Sequence, residues 1–457
     1  MDDPWERNVL CSAAAGVYHL NAFYFRVESL SDLDPHVGEP LPFAVAIHAH
    51  EYVHLLHNAS TTAGQAYLLS NLVLLRAIAG GCDEQGYFCG IDAMTADQRG
   101  WLDQAVALMQ TQLGTTAAKE LGKCKDVQNW EFELPAVVEG SYNIPSVTTV
   151  CRAVDVTGEP VCKPMTLGLH FISEGVAHEV DREIRRLNGM PEFALDTTTK
   201  PFPYLAYRVL LRRWSGRELA PRDFIGIGVS ALSFPFAGHG LEFICARLRA
   251  RPDLSLDIVL KMAQAEGRRL SEEVVDWLRK QELDLPVGDV VRTAMTEYMT
   301  LIDAGIRMRQ QRWAPELEFL SGPMTADLFR ARIASMLDCL TIQGKPEKEV
   351  EMNWIGPGHI AQTEQTQQSL GALQSAIHFS QLHLCTNGPP IPTAELPRER
   401  SCPFVGGCQA ERDDGYPEAC RLAPWERFKV APPGTKVCWY AAGVKALRNQ
   451  GHSSSPA

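Results

Sequence analysis

Four of the 13 histidines fall in one short stretch, "AIHAHEYVHLLHNAST", as His48, His50, His54 and His57, with Glu51 among them. The run follows Pro42, a residue tolerated in the first helical turn, and is bounded by Asn58 and the cluster Ser60-Thr61-Thr62. Between these limits Val45, Ile47, Val53, Leu55 and Leu56 suit a buried helix. On that helix His50 and His54, four apart, leave the same face, and Glu51 sits about 100° round beside them. His-Glu-x-x-His on a helix can offer two imidazoles to zinc and a carboxylate to the water the metal activates. The competing reading is a buried helix whose histidines cap neighbouring groups.

A zinc ion needs a third protein ligand. Glycine at position 57 and histidine at position 60 would supply it by extending the motif, but the chain has His57 and Ser60 there. Much later comes "TLGLHFISEGVAHEVDREIRRLNG", from Thr166 to Gly189. It reads as one helix, with Thr166 as cap, Arg185 and Arg186 in the last turn and Gly189 just past the end. His170, Glu174, His178 and Asp181 form a polar stripe along one face, flanked by Leu169, Phe171, Ile172, Val176, Val180 and Ile184. Such a stripe inside an apolar helix is costly to bury unless it is paired or holds a metal.

"HEYVH" followed by "FISEGVA" resembles the gluzincin branch of the zincin metallopeptidases. There the third ligand is the glutamate of a downstream helix, often in a Glu-Gly-x-Ala setting. The resemblance implies a zinc-dependent hydrolase acting on a protein or peptide substrate. It makes His50 and His54 the imidazole ligands of Zn2+, Glu174 the third ligand and Glu51 the general base. His170, His178 and Asp181 would orient the ligands from behind. The separation of His54 from Glu174 is longer than is common in that branch and demands a large insertion. His178 stands where relatives frequently carry aspartate. His239, between glycines in "FPFAGHGLEF", is a candidate oxyanion donor, as are Tyr204, Tyr207 and Tyr298. His48 and His57 read as supports or core.

A second chemical signal lies near the C-terminus, in Cys385, Cys402, Cys408, Cys420 and Cys438. The segment "CPFVGGCQAERDDGYPEACRLAPWERF" is rich in Pro, Gly and charge, and would gain stability from a metal or from disulfides. In a reducing compartment metal is the better reading. The phrase "PEACRLAP" loosely resembles small bacterial cysteine modules that chelate zinc or iron. No Cys-x-x-Cys pair is present, so a second zinc and an iron–sulfur cluster both stay open. Cys82, Cys89, Cys151 and Cys162 read as core residues.

Around these motifs the expected fold is α+β and mostly helical. Residues 1–199 form a zincin-like catalytic region with an insertion at about 80–164, first helical and then strands. Residues 200–345 form a helical subdomain, 346–448 a C-terminal region with the cysteine cluster, and 449–457 a disordered tail. "NAFYFRVESL" reads as a strand that supplies a sheet edge beside the histidine helix. At 457 residues, 45% hydrophobic and 21% charged, the chain has the composition of a globular enzyme with ample core. A net charge of -12 argues against nucleic acid as a partner. The acidic start "MDDPWERNVLCSAAAG" does not read as a signal peptide. The apolar stretch "AYLLSNLVLLRAIAGG" holds Asn71 and Arg76 and is too short to span a bilayer, so no membrane partner and a cytoplasmic location are expected. The rival function is a non-hydrolytic metalloprotein. Glu51-x-x-His54 is also half of a di-iron motif, and a metal or redox sensor could combine that face with the cysteines.

Overall fold

Described in the structure, a computed structural model, are residues 16–28, 44–114, 127, 129–154, 160–197, 199–285, 287–344, 350–384, 389–406, 408, 418–427 and 438–448. The chain opens with β1 (Gly16–Tyr18) and β2 (Tyr24–Val27), then α1 (Ala44–Ser60), α2 (Thr62–Gly80) and α3 (Ala96–Leu113). Next come β3 (Asn129–Phe132), β4 (Ala136–Glu139), β5 (Pro145–Val154) and β6 (Pro160–Thr166), leading into α4 (Leu169–Leu187) and the single turn α5 (Glu192–Leu195). A helical run follows: α6 (Ala206–Ser215), α7 (Pro221–Ala231), α8 (Ala237–Ala250), α9 (Leu256–Asp284), α10 (Asp289–Gln311) and α11 (Ala326–Ile333). The last elements are β7 (Cys339–Gln343), β8 (Glu351–Ile355), α12 (Glu364–Leu382), α13 (Glu418–Leu422) and α14 (Trp439–Ala446). The fold is mostly helical α+β.

The first sheet runs β1-β2-β7-β8. β2 lies parallel to β7, with Tyr24 opposite Leu340 and Val27 opposite Gln343, while the outer pairs are antiparallel. Parallel pairing needs a long crossover, and here the crossover includes α1 and the whole helical run. "NAFYFRVESL" does make a strand beside α1, but an inner one: the edge strand toward α1 is β1. β7 and β8 pair with each other across position 345, so the C-terminal region completes the sheet against which α1 packs.

The expected insertion is a helix, α3, followed by a second sheet in which β5 pairs with β3, β4 and β6. Along β5, Val147, Thr149, Cys151 and Ala153 are buried and their neighbours are more exposed, the alternation of a sheet with one face on the core. β6 runs straight toward α4. Thr166 still pairs with Thr148, so α4 starts at Leu169 with Gly168 at its cap, later than the sequence pattern suggests.

Within the helical run, "SLDIVLKMAQAEG" and "SEEVVDWLRKQ" join into one helix, α9. Gly267 interrupts the helix propensity but not the helix. A side chain there would meet Ser233, so the glycine serves close packing. One buried apolar cluster extends from β1 and β2 through these helices to Trp439 and Tyr440 of α14. No helix among the described residues is long and apolar enough to cross a membrane. Cys385 and the tail 449–457 lie outside the described residues.

Candidate metal centre

Helix α1 is enclosed on nearly every side, and its polar residues are enclosed with it: His48, Glu51, His54 and His57 are 0% exposed and His50 5%. Buried polar groups demand partners, and α4, which packs along α1, brings them. The four-residue spacing of His50 and His54 sends both rings toward Glu174, itself 2% exposed. Nε2 of each ring lies 3.7 Å from Glu174 Oε2. That is too far for a hydrogen bond, and all three atoms are buried without a hydrogen-bond partner. Their ligand atoms lie within 4.8 Å of one another, the one group of this kind among the described residues. Zinc bonds of about 2.0–2.2 Å separate tetrahedral donors by roughly 3.3–3.6 Å, close to the spacing here. Three orphaned donors around one point therefore fit a metal ion.

The protonation states agree with this. Burial, opposed by Glu174 and reinforced by His54, pushes His50 down to about 4. Burial also holds His54 well below its ordinary value, with His57 and His170 adding to the effect. Both rings are neutral near pH 7, so each has a nitrogen lone pair to give.

Behind His54 runs a chain of polar contacts that decides which nitrogen carries that lone pair. His54 Nδ1 lies 2.9 Å from Ser173 Oγ, and His57 Nδ1 lies 2.7 Å from the same oxygen. His57 Nε2 approaches Glu316 Oε1 at 3.4 Å, and Arg309 Nη2 donates to that oxygen at 2.5 Å. The charge order fixes the tautomers. The Glu316 carboxylate favours a proton on His57 Nε2, leaving His57 Nδ1 to accept from the Ser173 hydroxyl. Ser173 Oγ then accepts from His54 Nδ1–H, and His54 Nε2 faces the triad bare. Ser173→Ala is expected to weaken metal binding at the triad by about 10–100-fold, measured with zinc as the probe by competition with a chromophoric chelator. Unchanged affinity would remove Ser173 from the site.

The far end of this chain is also a stability element. Burial alone would raise the Glu316 carboxyl, but Arg309 and His57 outweigh it and hold it down at about 2. Its contribution is therefore full above the ordinary glutamate value of about 4.3 and is lost as pH falls toward about 2. Arg309→Met leaves Glu316 buried against His57 alone and is expected to cost about 3–5 kcal/mol. Thermal melts from pH 6 to pH 2 should show a lower plateau and a flatter acid limb. A melt matching the wild type would show that the ion pair contributes nothing.

Glu51 follows His50 on α1 and lies beneath β1. A Cβ at Gly16 would fall 2.6 Å from Glu51 Oε1, so the edge strand crosses close over this carboxylate and any side chain there would have to displace it. Gly175, next to Glu174, plays the same part on the other side: a Cβ there would run into the ring of Tyr207 on α6. The Glu-Gly pair is thus a candidate ligand and the gap that lets α6 approach it.

The remaining polar stripe of α4 surrounds the triad. Asp181 Oδ2 is 4.0 Å from His50 Nδ1, and Arg185 donates to Asp181 Oδ1 at 2.8 Å and to Oδ2 at 3.0 Å. Burial raises its carboxyl and Arg185 works against that rise. His170, one turn before Glu174, is buried, and burial lowers it too. The His178 ring lies tilted against that of Tyr204, centroids 4.9 Å apart, and its Nε2 is 3.9 Å from Asp196 Oδ1. Tyr204 also stands edge-on to His50 at 6.0 Å, which places it at the triad. The other oxyanion candidates bond groups away from the triad. His239 Nε2 is 3.1 Å from the Pro145 carbonyl of β5, Tyr207 donates to the Phe224 carbonyl, and Tyr298 pairs with Asn58. His48 Nδ1 sits 3.0 Å from the Ala44 carbonyl within α1.

Ser173, Glu316 and Arg309 have no place in the sequence pattern. Ser173 adjoins Glu174 and could have been suspected on that ground, but nothing in the run 309–316 marks it as a neighbour of His57. The chain matches no family model, no curated protein and no solved structure, so the grouping of His50, His54 and Glu174 stands on its own geometry.

Proposed function

We propose that the protein is a zinc-dependent metallopeptidase of gluzincin type, acting on a dedicated protein substrate. The observation that carries this reading is the convergence of three buried, partnerless ligand atoms, His50 Nε2, His54 Nε2 and Glu174 Oε2, with Glu51 next in sequence to the first of them. When bound there, zinc supplies Lewis acidity toward a carbonyl oxygen and brings the pKa of water toward neutrality. Glu51 takes the proton of the attacking water at its carboxylate and returns it to the leaving amine. Tyr204, beside His50, is the side chain that would donate to the developing oxyanion. Asp181 and the Ser173–His57–Glu316 chain keep the two imidazoles turned toward the ligand point.

Enclosure of the triad supports a selective enzyme. With no ligand more than 5% exposed, a substrate must open its way in, which general digestion does not favour. The test is to incubate the zinc-loaded chain with denatured cell protein and count new N-termini by mass spectrometry. New termini that vanish with chelator and return with zinc support the reading. Their absence from the zinc-loaded protein, across denatured and native substrates, would overturn it.

A further inference from the structure

The C-terminal cysteines Cys402, Cys408, Cys420 and Cys438 are buried thiols with no disulfide among them. Space for a ligand lies elsewhere, in a cavity of about 500 Å³ lined by α7, α9 and α10 and floored by the junction of α1 and α2. Cavities of this size hold small organic molecules. Two glycines fix its walls. A Cβ at Gly267 of α9 would fall 2.2 Å from Ser233 Oγ, and one at Gly305 of α10 would fall 2.7 Å from Ser60 Cβ. Both helices are therefore pressed against the elements that complete the cavity. Its lining is mixed. Val229, Val275, Ile306 and Trp313 supply apolar wall. Ser230 of α7 lines it too, is 2% exposed, and its Oγ has no hydrogen-bond partner among the described residues. At the floor Thr62 begins α2, so the positive end of that helix dipole lies there.

The charges around the cavity are of both signs and fall into two sets. Arg279 is paired with Asp303 at 3.2 Å, and Arg309 is held by Glu316 at 2.5 Å and by Ser60 Oγ at 2.7 Å. Arg268, Arg307, Glu272 and Asp276 form the other set, and none of them has an ion-pair partner among the described residues. The two arginines stand on different helices, α9 and α10, while the two acids are four apart on one face of α9. A ligand with a negative charge alone would meet Glu272 and Asp276 uncompensated, and one with a positive charge alone would meet Arg268 and Arg307. A molecule that carries both signs complements the whole set. A short peptide with free ends is such a molecule, because near pH 7 its carboxyl is ionised and its amine largely protonated.

We propose that this cavity binds a dipeptide with free ends. Its carboxylate is held by Arg268 and Arg307, its ammonium by Glu272 and Asp276, and its side chains rest on Val275, Ile306 and Trp313. Its peptide oxygen takes the hydrogen bond that Ser230 lacks. Such a molecule is the kind a peptidase releases, but binding does not depend on that reading. The experiment is equilibrium dialysis of the full chain against an equimolar pool of dipeptides, with the bound fraction read by mass spectrometry. Free amino acids in the dialysate report hydrolysis separately, so failure to bind and failure to cleave are distinguishable. A subset of the pool is expected to be retained. The same sequences acetylated at the amine, or amidated at the carboxyl, should bind at least about ten-fold more weakly, each having lost one charge-assisted contact. Arg307→Ala and Asp276→Ala, both at exposed positions where the fold is little affected, should each weaken retention by a similar factor. Arg269→Ala, which removes an exposed arginine of α9 paired with Glu266 outside the cavity lining, should leave it unchanged. A pool from which nothing is retained, retention indifferent to either end group, or retention unchanged in Arg307→Ala and Asp276→Ala would each overturn the proposal.

Discussion

Glu51→Gln is expected to keep the bound zinc and to lose peptide hydrolysis by about 10²–10⁴-fold. The two side chains have nearly the same shape, and the position is closely packed. Glu51 is fully buried, with Gly16 of β1 pressed against its carboxylate. Glutamine therefore fits the same space, the helix is undisturbed and the ligands stay where they are. What disappears is a carboxylate able to take a proton from water and pass it on. The check is zinc content and kcat/KM on one preparation. Full activity with full zinc would remove Glu51 as the base. Loss of zinc together with activity would make it a ligand or a structural support instead.

Glu174→Ala acts on the other half of the site. Its carboxylate oxygen stands 3.7 Å from both imidazoles and is the only contribution of α4 to the triad. Removing it leaves two neutral nitrogens and no negative charge to balance a divalent cation. Zinc affinity is expected to fall by more than the roughly 10–100-fold typical of losing an outer partner, and hydrolysis should fall with it. Adding zinc should restore part of the activity, which separates lost metal from lost fold. Wild-type affinity in this variant would move the third ligand elsewhere, with His170, His178 and His57 as the next residues to replace.

The parts of this site that were legible in the sequence are those governed by local periodicity. His50, Glu51 and His54 lie within two turns of one helix, and helical geometry alone puts the two imidazoles side by side. Periodicity placed Glu174 on a polar stripe of α4 with His170, His178 and Asp181, and the resemblance of its Glu-Gly-x-Ala setting singled it out among them. The parts that were not legible depend on tertiary packing. Glu316 and Arg309 meet His57 only because the end of α10 folds back beneath α1, and no short-range pattern encodes that. β2 has the composition of an edge strand, yet β7, more than three hundred residues later, covers its free side. Gly267 is a contact point inside α9, because Ser233 occupies the space a side chain would need, and no local pattern encodes that contact. Tyr204 could be separated from Tyr207, Tyr298 and His239 only by seeing which ring faces His50.

The most direct measurement of the central assignment is zinc-edge X-ray absorption on the purified chain. The expected spectrum is that of one zinc bound by nitrogen and oxygen only, at about 2.0–2.2 Å, with the outer-shell signature of two imidazoles. It should disappear in His54→Ala. Sulfur neighbours at about 2.3 Å, or a chain that takes up no zinc, would contradict the assignment of His50, His54 and Glu174 as a zinc site.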